Sequence, residues 1–265
     1  YYTDNWEGGG LGSISWAVDL TAAADYPFSE KVLNRNTLKL TYGQTRIQEE
    51  DKEWGKFRKS SDLIDYESMF VLTLNGFVDP YIGAHLVSMF RDESDSLKTR
   101  YLNPVDLTES LGAAKEIVNS GNTQWNLRLA GAVHQRINRD EAQFNDDLEY
   151  QGRESTVKND GGVEFVSKFE TSFKEGVFDF NSYLSVYEAL VSSESDTDGP
   201  EIEKDAWRYP DINWENKFSI NIIEYIMIRF TAQLLYDREI DRDPRIKQNV
   251  SVGFTLKKDN KQKDF

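Results

Sequence analysis

The stretch Asp211–Asp237, DINWENKFSINIIEYIMIRFTAQLLYD, alternates apolar and polar residues on both sides of a predicted turn near Ile223–Tyr225. Before the turn, the apolar positions are Ile212, Trp214, Phe218, Ile220 and Ile222. After the turn, they are Ile226, Ile228, Phe230, Ala232, Leu234 and Tyr236. A period of two predicts strands with one apolar and one polar face. Each run is about ten residues long, enough for a tilted strand to cross a bilayer.

The same alternation recurs along most of the chain and predicts about eleven strands. The others run over about Leu11–Ala24, Thr37–Arg46, Leu63–Asn75, Tyr81–Arg91, Leu107–Val118, Trp125–Ile137, Val163–Phe173, Phe178–Val186 and Val250–Leu256. Long charged loops are predicted at Gln48–Ser61, Asn138–Gly161, Val191–Pro210 and Arg238–Arg245, and turns at Gly76–Pro80, Asn119–Asn122 and Lys174–Gly176.

Short and long connections alternate, as they do in transmembrane barrels with short periplasmic turns and long outer loops. Aromatic residues also gather at the strand ends, where an interfacial girdle would lie: Tyr42, Trp125, Phe173, Phe178, Trp214, Tyr225 and Tyr236. A soluble sandwich or lipocalin-like barrel alternates too, but has no reason to show both patterns. The sequence therefore predicts an all-β fold, a transmembrane antiparallel up-and-down β-barrel over residues 1–265.

The strand count favours a barrel of twelve strands. Bacterial single-chain barrels have an even number of strands, so we expect Tyr1–Trp6 to be the tail of a preceding strand. Ten or fourteen strands are the alternatives.

Composition excludes several classes of protein. No window holds about twenty apolar residues, which excludes a helical membrane protein. A formal net charge of −15 argues against nucleic acid as a partner, because that binding depends on Lys and Arg at phosphates. The absence of cysteine removes disulfides, thiolate metal sites and cysteine nucleophiles.

Several short motifs also occur in a familiar order: Asn5-Trp6, Gly8-Gly9, Leu40-Thr41-Tyr42-Gly43, Phe57-Arg58-Lys59-Ser60-Ser61-Asp62, Asn213-Trp214-Glu215-Asn216, Leu235-Tyr236-Asp237 and Val252-Gly253-Phe254. In this order they resemble an uncharacterised, domain-of-unknown-function family of Gram-negative outer-membrane β-barrel proteins. The resemblance extends over nearly the whole chain and is weakest from Asp92 to Gly121. It implies an outer-membrane barrel and carries no catalytic residues to transfer.

The polar face of the predicted strands would face the lumen. Its charged and histidine positions are Asp65, Glu67, Arg128, His134, Arg136, Glu164, Lys168, Glu170, Asp179, Glu215, Lys217 and Arg229. Both signs occur in comparable number, so neighbouring charges can pair, and a barrel of about twelve strands is narrow enough for long side chains to fill much of it. We therefore favour a filled or narrow lumen over an open pore.

Catalytic and metal-binding signals are weak. His85 and Ser88 lie three positions apart, which places them on opposite faces of a strand. The segment Glu194-x-Asp196-x-Asp198-Gly199 follows the calcium-loop pattern only in part, because a bidentate Glu is missing at its twelfth position. We predict no catalytic residues and no cofactor, with divalent cations at the acidic loops as the remaining option.

These features predict a non-enzymatic protein of the bacterial outer membrane. Its leading role is a structural or accessory component of an envelope complex, whose acidic outer loops contact lipopolysaccharide or other envelope proteins. The alternative is a narrow channel or transporter for a small solute. A lipid hydrolase built into the barrel, dependent on His134, is a third hypothesis.

Overall fold

A computed structural model describes residues 12–49, 53–74, 76–95, 97–145, 149–193, 206–223 and 226–254. The strands are β1 (Ser13–Pro27), β2 (Val32–Ile47), β3 (Arg58–Leu72), β4 (Asp79–Ser88), β5 (Arg91–Asp92), β6 (Arg100–Tyr101), β7 (Val105–Ser120), β8 (Thr123–Phe144), β9 (Tyr150–Phe173), β10 (Phe178–Ser192), β11 (Asp211–Ile223), β12 (Ile226–Tyr236) and β13 (Arg245–Phe254). One 3-10 turn, Ala206–Arg208, is the helical element of the described residues.

Eleven strands form one antiparallel up-and-down sheet, in the order β1-β2-β3-β4-β7-β8-β9-β10-β11-β12-β13, and β5 pairs with β6. The all-β, up-and-down fold is confirmed. Among the described residues, β1 and β13 each pair with one neighbour. Closure into a barrel and a twelfth strand therefore stay predictions, and Tyr1–Trp6 lies outside the described residues.

The described chain divides into two compact units. The first comprises described parts of residues 1–73, 81–110 and 133–159, and the second those of 74–80, 111–132 and 160–265. Strands β1 to β4 belong almost entirely to the first unit, and β10 to β13 to the second.

The hairpin β11–β12 has the predicted two faces. Phe218 pairs with Phe230, whereas on the other face Ser219 pairs with Arg229. The predicted turn residue Tyr225 lies outside the described residues.

Burial follows the polar face of the strands. In β8, Arg128, Ala130 and Ala132 are buried, while Leu129 and Val133, which point to the other face, are exposed. In the second unit, Ser219 is only 4% exposed, whereas large apolar side chains of the opposite face are open. An ordinary soluble sheet buries its apolar face, so the sidedness of these strands is reversed.

The predicted loop Asn138–Gly161 is wrong. Strand β8 continues to Phe144 and β9 begins at Tyr150, so most of this segment is a β-ribbon. Polar residues occupy both of its faces, and no apolar alternation marks the strands. Backbone hydrogen bonds between strands require no apolar face. At the end of the ribbon, the backbone N–H of Asn145 donates to the Glu149 carbonyl at 3.0 Å.

Smaller differences concern strand ends. Strand β2 begins at Val32, five residues before the prediction, and β3 begins at Arg58, inside the predicted loop Gln48–Ser61. Strand β4 begins at Asp79 within the predicted turn and stops at Ser88. The last predicted loop ends where β13 begins, at Arg245. The pair β5–β6 was not predicted, because two-residue strands show no periodicity.

Candidate functional site

A polar cavity of about 450 Å³ opens on the polar face of the strands of the second unit. It lies at the ends of β7, β9 and β11, where the chain makes short turns. The turn after β9 places Lys174, Glu175 and Gly176 at positive φ, and Gly121 follows β7 at φ 44°. Positive φ is what tight hairpin turns require. The cavity is lined by Gly121, Asn122, Gln124, Glu170, Thr171, Ser172, Asp179, Asn181, Ser219, Asn221, Met227 and Arg229.

Strand register brings the charged side chains of the cavity together. Asp179 of β10 pairs with Ser172 of β9 and with Ser219 of β11, and Ser219 pairs in turn with Arg229 of β12. These residues form a row across four strands. Glu170 stands two positions from Ser172 and therefore on the same face.

Hydrogen bonds fix the acidic wall of the cavity. The Ser172 hydroxyl donates to Asp179 Oδ1, and Asn221 Nδ2 donates to Asp179 Oδ2 at 2.9 Å. The same amide nitrogen donates to the Gly176 carbonyl at 2.7 Å, and the Asn221 backbone N–H donates to the Val177 carbonyl at 2.8 Å. The position of the Asp179 carboxylate is thereby tied to the turn.

Arg229 forms the basic wall. Its Nε donates to Ser219 Oγ at 3.3 Å, and one terminal nitrogen lies 3.6 Å from Met227 Sδ. A guanidinium carries five N–H donors, so these two contacts leave donor capacity toward the cavity. Arginine presents such donors as a planar fork that fits a carboxylate.

Other charged side chains on the same face also have partners. Lys217 Nζ lies 2.7 Å from Glu215 Oε1, and Lys168 Nζ stands 5.8 Å from the ring centre of Tyr183. The pairs bring opposite charges and cation–π contacts to the face that the sequence predicted to be polar.

The predicted lumen-facing residues are divided between the units. Glu170, Asp179 and Arg229 line the cavity. The others of the second unit are Arg128, Glu164, Lys168, Glu215 and Lys217, and those of the first unit are Asp65, Glu67, His134 and Arg136.

Two aspartates stand beside basic side chains on the polar face of the first unit. Asp65 Oδ1 lies 3.1 Å from His85 Nε2, and its other oxygen lies 3.6 Å from Lys39 Nζ. Asp106 Oδ1 lies 3.9 Å from His134 Nε2 and 3.8 Å from Arg136 Nε. Each of the two histidines therefore stands beside a carboxylate on an adjacent strand.

Ser88 is directed elsewhere. Its hydroxyl is buried and donates to the Pro104 carbonyl at 2.8 Å, so it does not point to His85. The calcium candidates Glu194, Asp196 and Asp198 lie outside the described residues. Within the described ranges, no group of three His, Cys, Asp or Glu side chains is arranged to hold a metal ion.

Aromatic side chains predicted at the strand ends make ring contacts. Phe173 stacks on Phe178 at 5.4 Å between centroids, and Trp16 lies 6.0 Å from Tyr42. Trp125 and Trp214 donate their indole N–H groups to Ser167 Oγ and Ser182 Oγ, respectively, at 3.1 and 3.3 Å. Tyr236 pairs with Ile212 at the far end of the β11–β12 hairpin.

A second polar cluster holds the segment between β4 and β7. Asp92 Oδ2 accepts Asn103 Nδ2 at 3.0 Å and lies 2.6 Å from an Arg100 nitrogen. Asn103 Oδ1 in turn accepts the Arg139 backbone N–H at 2.7 Å, which ties the segment to β8. All three side chains, Asp92, Arg100 and Asn103, are buried.

The uncharged residues of the cavity were not predicted as site residues. Asn181 and Asn221 share a face with Asp179 and Ser219, respectively, two positions away. Their period-two spacing was the signal that could have found them. The register that joins four strands into one row cannot be found in any single strand's pattern.

The comparison with protein families identifies a match to part of the chain. Residues 1–92 match a family described as a protein of unknown function (DUF3078). The predicted resemblance to an uncharacterised domain family is thus confirmed over this part. The motifs Asn5-Trp6, Leu40–Gly43 and Phe57–Asp62 lie inside the match, and those from Asn213 onward lie beyond it.

A search of curated proteins finds no match to the chain. Across the described residues, no helix has the length and apolar character needed to cross a membrane. Because the description of the family names no activity, function has to be inferred from the residues themselves.

Proposed function

We propose that this protein crosses the bacterial outer membrane as a closed β-barrel and serves, without enzymatic activity, as an accessory component of an envelope assembly. The single observation that carries the proposal is the reversed sidedness of the strands. Apolar side chains such as Leu129 and Val133 are exposed, while Arg128, Ala130 and Ala132 on the opposite face of the same strand are buried. Exposed apolar surface of this extent is costly in water and is favourable against lipid.

The length of the apolar face supports the same proposal. On β11 the outward apolar positions run from Ile212 to Ile222, about 33 Å along a strand at roughly 3.3 Å per residue. A strand tilt of about 40° reduces this to a height of about 25 Å, which is the apolar band of outer-membrane barrels.

The accessory role is supported by the paired charges of the inner face. Lys217 lies against Glu215, and Asp65 lies between His85 and Lys39. Paired charges of both signs give no single-sign ring of the kind that confers ion selectivity. A role for the loops and the barrel wall in contacting partners therefore fits this face better than free diffusion of solutes through an open pore.

A narrow channel or transporter is the second candidate, and the cavity between Arg229 and Asp179 favours it. A solute-sized polar space on the inner face is what a selective passage would need. Ion current through the purified protein in a planar bilayer would support this candidate over the accessory role.

Membrane spanning is tested by labelling two neighbouring positions of β13. Val250 is 67% exposed and Asn249 is exposed as well, so a water-soluble sheet would give both positions the same access to water. The chain has no native cysteine, so Val250→Cys and Asn249→Cys each carry one spin label. In reconstituted bilayers we expect the label at 250 to collide with oxygen, which concentrates in lipid, and that at 249 with a water-soluble nickel complex.

The matched pair makes the result unambiguous. Equal access of both labels to the nickel complex would contradict the proposal, because neither position would then face lipid. The same comparison at Phe230 and Thr231 of β12 repeats the test on a strand that is paired on both sides.

A further inference from the structure

We propose that the cavity of the second unit binds a small zwitterion, such as a free amino acid or a dipeptide, with its carboxylate on Arg229 and its ammonium group on Glu170 and Asp179. The inference goes beyond the proposed accessory role and rests on the cavity, not on membrane placement. Its test and the labelling test can therefore fail independently.

The two signs of charge occupy opposite sides of the cavity. Arg229 stands on β12, whereas Asp179 and Glu170 stand on β10 and β9. Strand β11 separates the two sides, which places the Cα atoms of Asp179 and Arg229 about 10 Å apart at a strand spacing of about 4.8 Å. The residue between them is Ser219, whose hydroxyl oxygen accepts a hydrogen bond from Arg229 Nε at 3.3 Å.

The remaining walls suit a hydrogen-bonding ligand. Asn122, Gln124, Asn181 and Asn221 contribute amide groups, which can both donate and accept. No aromatic ring lines the cavity within the described residues, so a ligand recognised by stacking fits poorly. A peptide unit, with one donor and one acceptor between two charged ends, matches this arrangement.

Each charged end of the ligand would find an existing partner. Arg229 directs one side of its guanidinium to Ser219, and its remaining donors can hold a carboxylate in a forked pair. Ser172 and Asn221 fix the Asp179 carboxylate on the cavity wall. Glu170 adds a second carboxylate beside the same space.

The test uses the purified full chain in detergent and diglycine as the probe, measured by titration calorimetry. Diglycine has charged ends about 6 Å apart. Diglycine amide lacks the carboxylate, and N-acetyldiglycine lacks the ammonium group. We expect saturable binding of diglycine and at least tenfold weaker binding of each derivative, since a charge-assisted bond is lost in both cases.

Variants assign each end of the ligand to its wall. In Arg229→Gln, we expect diglycine and its amide to bind equally weakly, whereas Arg229→Lys keeps part of the difference. In Glu170→Gln, the difference in affinity between diglycine and N-acetyldiglycine should become smaller. Arg242→Gln removes a positive charge from an exposed loop of the same unit and should change neither preference.

Three results would overturn the proposal. The first is an absence of saturable diglycine binding to the wild-type chain, and the second is equal binding of diglycine and diglycine amide. The third is a preference for the acid that survives in Arg229→Gln, since the carboxylate would then be held elsewhere. Each of these outcomes is independent of whether the protein crosses a membrane.

Discussion

At the scale of single residues, Asp92 shows how one buried carboxylate orders a loop. Asp92 is only 3% exposed. Burial opposes its ionisation, but hydrogen bonds from Ser94 and Asn103 and the charge of Arg100 outweigh that effect and hold the pKa of Asp92 below its ordinary value. The charged form is therefore the one that the folded segment stabilises.

The sign of the pH dependence follows from this lowered pKa. In the opened segment, Asp92 has its ordinary pKa of about 4. Stability from the ionised group is fully present above that value and is lost as the pH falls through it toward the lower pKa of the folded segment. The pKa of Asp95 is also lowered, because a backbone hydrogen bond from Leu97 and the nearby Arg153 together outweigh its desolvation. Asp95 therefore contributes to the pH dependence in the same direction.

We therefore expect the segment between β5 and β6 to open progressively as the pH falls below the ordinary aspartate pKa of about 4. The readout is hydrogen exchange of the Arg139 amide, which donates to Asn103, after correction for intrinsic rates. In Asp92→Asn the Arg139 amide should exchange faster at pH 6. The pH dependence of its exchange should be shallower but not absent, because Asp95 still titrates in the same direction. A pH profile unchanged by Asp92→Asn would show that the carboxylate does not control the segment.

At the scale of elements, two glycines in long strands occupy opposite environments. A Cβ atom added at Gly162 in β9 would lie 2.1 Å from the Glu188 carbonyl of β10, next to the register shift between Ala189 and Val191. A Cβ atom at Gly131 in β8 would meet nothing within 4 Å. The first glycine is required by a close backbone approach at a bulge, and the second is not.

Gly162→Ala should therefore destabilise the fold by about 1–3 kcal/mol or more, because backbone must move to admit the methyl group. Gly131→Ala should be neutral or stabilising by about 0.4–1 kcal/mol, through reduced freedom of the unfolded chain. The measurement is the unfolding midpoint of each variant in the same detergent. Equal midpoints for the two variants would mean that β9 and β10 do not approach as closely as the structure has them.

The elements also show what sequence could predict. The β11–β12 hairpin was predictable because a strict alternation marks one apolar face along Asp211–Tyr236. The ribbon of β8 and β9 beyond Asn138 was not, since it has no apolar face to mark. For the cavity, alternation found Glu170, Asp179 and Arg229 but could not join them, because cross-strand register is set by turns and bulges.

At the scale of the whole molecule, acidic residues outnumber basic ones. The chain carries 46 acidic and 31 basic residues, a formal net charge of −15. On the strands, carboxylates such as Glu215 and Asp65 stand beside cations. The segment Val191–Pro210 holds six acidic residues and two basic ones. Under the proposed accessory role, this excess of negative charge would attract basic proteins or cation-bridged lipopolysaccharide.

An accessory role makes a prediction about mass. Extracted from native membranes in mild detergent, the protein should travel in a particle much heavier than the 30.6 kDa chain with its detergent, together with other polypeptides in fixed ratio. Acidic loops that contact a partner lose part of their attraction when salt screens the charges over about 8 Å at physiological ionic strength and about 3 Å at 1 M. The partners should therefore dissociate more readily as salt is raised.

The control is the same chain produced alone and folded in the same detergent, which should give a particle of one chain. If the native particle has that same mass, or is a small oligomer of identical chains, the accessory role is wrong. The charged residues on the polar face would then be better explained by passage of a small solute, and conductance measured on the lone protein would test that role. A heavy native particle that survives high salt would instead indicate that apolar contacts, not the acidic loops, hold the assembly.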